Sequence, residues 1–147
     1  MLKIYHVRGT RSVRPIWLCY ELELEFQIEP IDFSESFRNT KDWRSISPAA
    51  LIRPLGAVRL LRAKSETGAS IVADAEQKTR TCLEVVDQAV ANREFLLGSR
   101  FDAADIMMGY SLALLANNGI LDDHYPHAAE YLTRLRSRDA CRLAMAA

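Results

Sequence analysis

Asp102 and Asp105 could suggest paired carboxylates for general acid–base work. Their spacing suits another role. An aspartate at a helix N-cap with a second carboxylate three residues on forms a capping box, and both charges favour the positive end of the helix dipole. We therefore read Asp102-Ala-Ala-Asp105 as a helix start. Cys19, Cys82 and Cys141 are scattered, with no pair at metal-ligand spacing, and read as reduced thiols. His6, His124 and His127 form no ligand set, so no metal is expected. Met107-Met108 reads as helix packing. Arg53, Arg59, Arg62 and Lys64 make a basic helix face, read first as solvated. The turn Gly9-Thr10-Arg11-Ser12 carries two hydroxyls and a cation. By residue type alone, Ser12 is a helix cap, Thr10 a turn residue and Arg11 a solvated cation.

The elements that must position these groups follow from periodicity. Leu2, Ile4 and His6 alternate with Lys3, Tyr5 and Val7, which predicts a short strand. Gly9 breaks it, and Pro15 falls in the first turn of a helix carrying Val13, Ile16, Trp17, Tyr20 and Leu24 at helical spacing. Phe26 to Ile31 has strand composition again, with Pro30 at a strand end or edge. Strand, helix and strand within about 30 residues make a βαβ unit with parallel strands. Residues 33–48 are polar, with a short helical piece around Trp43. Helices are expected over 49–63, kinked or delayed by Pro54 and with Leu51, Leu55, Val58 and Leu61 on one face, and over 73–92, with Cys82, Leu83, Val86 and Val90 inside. Further helices are expected from Asp102 to about Asn117, over 128–137 and over 139–146. Residues 64–70 read as a loop into which a helix could reach. The fold class is thus α/β plus all-α, with a partial α/β domain over 1–48 and an all-helical domain over 49–147. A two-stranded parallel sheet is marginal by itself, so the first part needs cover from elsewhere.

Composition narrows the class. About half of the 147 residues are apolar, enough for a core. Lysine plus arginine and aspartate plus glutamate number 19 each, for a formal net charge of zero. Phosphate binding usually leaves a basic excess, so nucleic acid is not the expected partner. No apolar run approaches a bilayer span, and Met1-Leu2-Lys3-Ile4-Tyr5 reads as strand rather than secretory signal. Reduced cysteines fit a cytoplasmic protein.

Three stretches carry a resemblance. Leu2 to Leu18, with Tyr20-Glu-Leu22 and Phe26 to Asp32, resembles the opening strand, helix and strand of bacterial cytosolic glutathione transferases. Phe95-Leu-Leu-Gly98 with Phe101-Asp-Ala-Ala-Asp-Ile-Met-Met-Gly109 resembles the start of the core helix of that family's helical domain. Tyr125-Pro126 with Tyr131-Leu-Thr-Arg-Leu-Arg136 resembles its terminal helices. The chain departs from the family in the middle of the thioredoxin-like half. Family members carry Asn-Pro-x-Gly-x-Val-Pro, two further strands and a Glu-Ser pair that holds the γ-glutamyl end of glutathione. Here Ser47-Pro48 runs directly into Ala49-Ala-Leu-Ile-Arg-Pro54. Ser65-Glu66-Thr67 superficially resembles the Glu-Ser site but reads as loop.

The resemblance implies an enzyme that adds the glutathione thiol to a small hydrophobic electrophile, works as a homodimer and uses glutathione as co-substrate. A hydroxyl beside the first helix would lower the thiol pKa, helped by the helix dipole. Counting back from Arg14, Thr10 takes that place, with Ser12 second. Arg11 would favour the thiolate by charge. Gly9 and Arg14 complete the glutathione side, and Arg14 is placed to bond carboxylates across the domain boundary. Tyr5 falls one position too early for the tyrosine of other classes. The electrophile would lie between this turn and the helices beginning at Ala49 and Asp102. The missing tripeptide-holding motifs leave a second reading open, a non-catalytic interaction or structural protein on the same fold.

Overall fold

The computed structural model describes residues 1–32, 34–38, 40–46 and 66–147. The helix expected over 49–63, its basic face, the junction at Pro48–Ala49 and Ser65 lie outside the described residues. The chain forms two compact units, Met1–Pro30 with Arg80–Ala147, and Ile31–Thr79.

In the first unit, β1 (Leu2–His6) pairs in parallel with β2 (Phe26–Pro30), Ile4 opposite Ile28 and His6 opposite Pro30. Between them runs α1 (Val13–Glu21), which buries Val13, Ile16, Trp17 and Cys19. The helix ends three residues before the expected Leu24. Glu23 turns left-handed (φ 52°), Leu24 N–H reaches back to the Cys19 carbonyl at 3.0 Å and Glu23 N–H to that of Tyr20 at 3.3 Å. This is a Schellman stop. It turns the chain towards β2 and leaves Leu24 48% exposed.

Four helical segments complete the unit. They are the C-terminal part of α4 (Glu66–Val90), then α5 (Ala103–Asn117), α6 (Pro126–Arg136) and α7 (Asp139–Ala146). Of residues 64–70, read as a loop that a helix could reach into, those from Glu66 onward are helix, Gly68 included. Extending a formed helix adds one hydrogen bond per residue fixed, which offsets about 1 kcal/mol for an interior glycine. The inner face of α4 carries Leu83 and Val90, both buried, with Val86 partly so, whereas Cys82 is exposed. One residue is about 100° of helix rotation, enough to carry Cys82 off that face.

Strand β1 packs on α1. Helix α1 packs against α5 and α7. Its last residue is clipped in place: Glu21 accepts from Arg138 Nε at 2.7 Å, from Arg138 Nη2 at 2.6 Å and from Trp17 Nε1 at 2.8 Å. The Arg138 guanidinium also lies 3.9 Å from the Phe101 ring centroid. Close approach is possible because α5 carries Gly109. A Cβ there would sit 2.7 Å from Leu135 Cδ1 and 3.1 Å from the Trp17 ring. The capping box is present as read. Asp102 Oδ1 accepts from Ala104 N–H at 2.7 Å, and Asp105 Oδ2 from Asp102 N–H at 2.8 Å. Asp105 is itself wholly buried, and its Oδ1 accepts from Leu96 N–H at 2.8 Å and from Tyr131 Oη at 2.5 Å.

The second unit holds α2 (Glu35–Arg38), α3 (Lys41–Ile46) and the N-terminal part of α4. Trp43, at the expected short helix, is buried with its ring 5.3 Å from Phe37.

Candidate functional site

The link from β1 to α1 is closed twice on one carbonyl. Val7 O accepts from Thr10 N–H at 3.1 Å and from the Thr10 hydroxyl at 2.7 Å. Gly9 has φ +76°, where a side chain would be strained. Its carbonyl accepts from the Tyr110 hydroxyl at 3.1 Å, tying the turn to α5.

Ser12 stands at the N-cap position of α1, but its side chain caps no backbone N–H. Its backbone is already helical (φ −65°, ψ −14°), and the hydroxyl turns elsewhere. Ser12 Oγ lies 2.7 Å from Thr10 Oγ1 and 2.8 Å from His6 Nδ1. The cap read for Ser12 is therefore replaced by a three-residue polar chain, His6–Ser12–Thr10. His6 is 3% exposed, and its Nε2 has no hydrogen-bond partner among the described residues. Burial pulls its basicity below the ordinary histidine value, which keeps the ring neutral at pH 7.

Two arginines border the chain. Arg11 is exposed. The carboxylate partners expected for Arg14 are not found among the described residues. Its guanidinium lies 4.8 Å from the Tyr110 ring centroid, with Nη2 at 3.4 Å from Ser111 Oγ and Nη1 at 3.7 Å from Met107 S. The face of α5 reached by Arg14 presents a thioether, a ring and a hydroxyl, whereas the Asp105 carboxylate is bonded to Leu96, Asp102 and Tyr131. Burial, and then the charge of Arg11, pull Arg14 below its ordinary range. Burial raises the Tyr110 phenol, opposed by Arg14 and then Arg11. The turn thus sits in a positive field, suited to an anion such as a thiolate.

Beside it opens a cleft of ≈ 570 Å³. Arg8 and Gly9 of the turn, Tyr110 and Leu114 of α5, and Cys141 and Met145 of α7 contribute to its walls. The helix that starts at Asp102 forms one wall. The wall from α7 was not foreseen, because nothing local in that segment says which helix it faces. His6 and Tyr110 were not singled out as site residues either. For His6 a signal existed: a polar residue on the inward face of a strand, two after Ile4, requires a partner. Burial pushes the Cys141 thiol up to about 11, so it is not a nucleophile at neutral pH. Among the described residues, no group of three or more His, Cys, Asp or Glu could hold a metal ion, and no helix is long and apolar enough to cross a membrane.

No protein-family model matches the chain, and no curated protein matches it by sequence. Solved structures do match. A glutathione S-transferase from Xylella fastidiosa superposes with a TM-score of 0.81 at 11% identity, over 99% of this chain and 98% of that one. The bacterial GST BphK, in a ternary complex, gives 0.77 at 16%, over 99% and 98%. A glutathione transferase family member from Pseudomonas fluorescens Pf-5, with two glutathione bound, gives 0.74 at 15%, over 97% and 91%. The chain therefore has the glutathione transferase fold, with a short thioredoxin-like part and a helical C-terminal part.

Proposed function

We propose that this protein is a glutathione transferase, joining the glutathione sulfur to an electrophilic carbon of a hydrophobic molecule. The thiol loses its proton to solvent and the thiolate attacks; as the carbon–sulfur bond forms, the electrophile either expels a leaving group, such as halide from an aromatic ring, or moves a π pair onto an atom that solvent then protonates. The Thr10 hydroxyl donates to the sulfur, with Ser12 behind it. Arg11, Arg14 and the N-terminus of α1 add positive potential, and Gly9 lets the backbone come close. The electrophile enters the cleft between the turn, α5 and α7.

One observation carries the reading: a hydrogen-bonded hydroxyl pair at a helix N-terminus, bordered by two arginines, in a turn whose Gly9 lines a largely apolar cleft. The fold supports it, because solved neighbours include one with two glutathione bound. The test is Thr10→Ala, assayed by conjugation of glutathione to a standard aromatic electrophile. Loss of a hydrogen bond to a developing anion, about 1.5–3 kcal/mol, predicts a fall in kcat/KM of about 10- to 100-fold. Unchanged activity would remove Thr10 from this role and leave Ser12 or Arg11.

A second reading rests on the run from Ser47-Pro48 straight into Ala49, without the motifs that hold the tripeptide in the family the chain resembles. On that reading the fold serves binding or scaffolding alone. Retention on immobilised glutathione with elution by free glutathione favours the enzyme. Flow-through favours the second reading, because positioning of the tripeptide supplies much of the rate.

A further inference from the structure

Whether Thr10 or Ser12 meets the sulfur follows from counting protons along the partly buried polar chain. Thr10 has one hydroxyl proton, and it points at Val7 O, 2.7 Å away. At the 2.7 Å contact with Ser12, Thr10 Oγ1 must then accept, and Ser12 must donate. Ser12 has now used its only proton. At 2.8 Å from His6 Nδ1 it can only accept, so Nδ1 carries the imidazole proton. A neutral ring has one N–H, which leaves Nε2 bare. Nε2 is the ring nitrogen without a partner among the described residues, and a buried lone pair without a partner is less rare than a buried N–H without one. The chain therefore runs one way: His6 N–H to Ser12, Ser12 O–H to Thr10, Thr10 O–H to Val7.

We propose that His6 is a positioning residue for thiol activation: its Nδ1–H orients Ser12 to donate into Thr10, which makes the Thr10 hydroxyl the terminal donor to the glutathione sulfur. This rests on the transferase reading above. The switch is local. Val7 O also accepts from Thr10 N–H at 3.1 Å, so turning the Thr10 hydroxyl from that carbonyl to a thiolate leaves no buried acceptor empty. Each donor polarises the next in a partly buried chain, so the last hydroxyl is a stronger donor than an isolated threonine. Ser12 acts through Thr10, and His6 acts through Ser12. A purely structural His6 would hold the turn and leave the thiol's ionisation alone.

The experiment compares wild type with His6→Phe, His6→Asn, Ser12→Ala and His6→Phe/Ser12→Ala. The readouts are the ultraviolet absorbance of bound glutathione thiolate against pH and the conjugation rate at saturating glutathione. His6→Phe and Ser12→Ala should each lower the rate at neutral pH about fivefold, the size of one net hydrogen bond, with little change in KM for glutathione. The rates should converge with wild type at high pH, where the thiol ionises unaided. His6→Asn keeps an N–H near the Nδ1 position and should restore most of the loss. The double variant should be no worse than either single one, because the links act in series. Thermal unfolding follows each variant, and Ser12→Ala, which removes one oxygen, makes the same test without altering the strand.

A wild-type thiolate titration and pH profile in His6→Phe would overturn the proposal while leaving the transferase reading intact. So would losses that add in the double variant. If wild type ionises bound glutathione no better than water does, the transferase reading falls and the proposal with it. Nitrogen-15 NMR of His6 tests the chain independently of activity. An Nδ1–H tautomer supports it, and an Nε2–H tautomer overturns it.

Discussion

Replacing Asp105 by asparagine changes one atom and should cost far more than an isosteric swap on a surface. The carboxylate is wholly buried and accepts three bonds: Leu96 N–H and Tyr131 Oη at Oδ1, and Asp102 N–H at Oδ2. Every group facing it is a donor. An asparagine amide must place its NH₂ at one of the two oxygen positions. The milder choice is the Oδ2 position, where it confronts the Asp102 N–H and leaves that group unsatisfied, at about 1–3 kcal/mol. Loss of the negative charge from the first turn of α5 adds about 0.3–2 kcal/mol. We expect about 2–4 kcal/mol, a large part of the roughly 5–15 kcal/mol that holds a domain folded. Asp105→Ala leaves all three donors without an acceptor and should cost more. The assay is urea unfolding followed by far-ultraviolet circular dichroism, with the midpoint compared at unchanged m. A change for Asp105→Asn below about 1 kcal/mol, or an alanine variant milder than the asparagine one, would refute the three-donor argument.

Two other predictions concern titration and reactivity. The bond from Arg138 holds the Glu21 carboxyl below the ordinary carboxylate range, against burial, which raises it. The stabilisation is therefore present above that ordinary range and lost as the pH falls through the depressed value. Glu21→Gln should cost about 1–3 kcal/mol at pH 7, with the gap to wild type closing in acid, and a gap that stays constant in acid denaturation refutes the assignment. Of the three thiols, Cys82 is exposed while Cys19 and Cys141 are buried and raised by burial. A thiol reagent should modify Cys82 first in the native protein and all three after denaturation, and peptide mapping that finds Cys141 labelled first would contradict the buried packing of α7.

Periodicity made most of the described architecture legible. The alternation in Leu2–Val7, the apolar spacing of Val13, Ile16 and Trp17, and the Asp102–Asp105 capping pair each report a local geometry set by neighbours within one helical turn or one strand. The misses have physical reasons as specific. Leu24 kept the helical spacing, but a left-handed Glu23 ended α1 so that the chain could reach β2. Gly68 looked like a loop, yet the helix runs through it. Cys82 and Leu83 are equally apolar neighbours, and only packing chose between faces about 100° apart. In the candidate site, Gly9, Thr10, Arg11, Ser12 and Arg14 were found through a motif likeness, because a hydroxyl turn carries no pattern of its own. Arg14 was expected to meet carboxylates, but its partners lie on α5, about 95 residues away in sequence, where no local spacing could name them.

By itself, then, the amino-acid sequence determined which segments are strand and helix across most of the described residues, where the α5 capping box lies and which turn carries hydroxyls. Those properties depend on contacts between residues a few positions apart. Tertiary structure decided what the marginal sheet rests on, which wall α7 gives to the cleft, that Asp105 meets Tyr131, and that Ser12 bonds His6 and Thr10 instead of capping its helix. A side chain with one proton and several acceptors in reach takes its direction from what surrounds it. In this turn the surroundings are the end of β1 and α5, whose Tyr110 bonds Gly9 from 101 residues further along the chain.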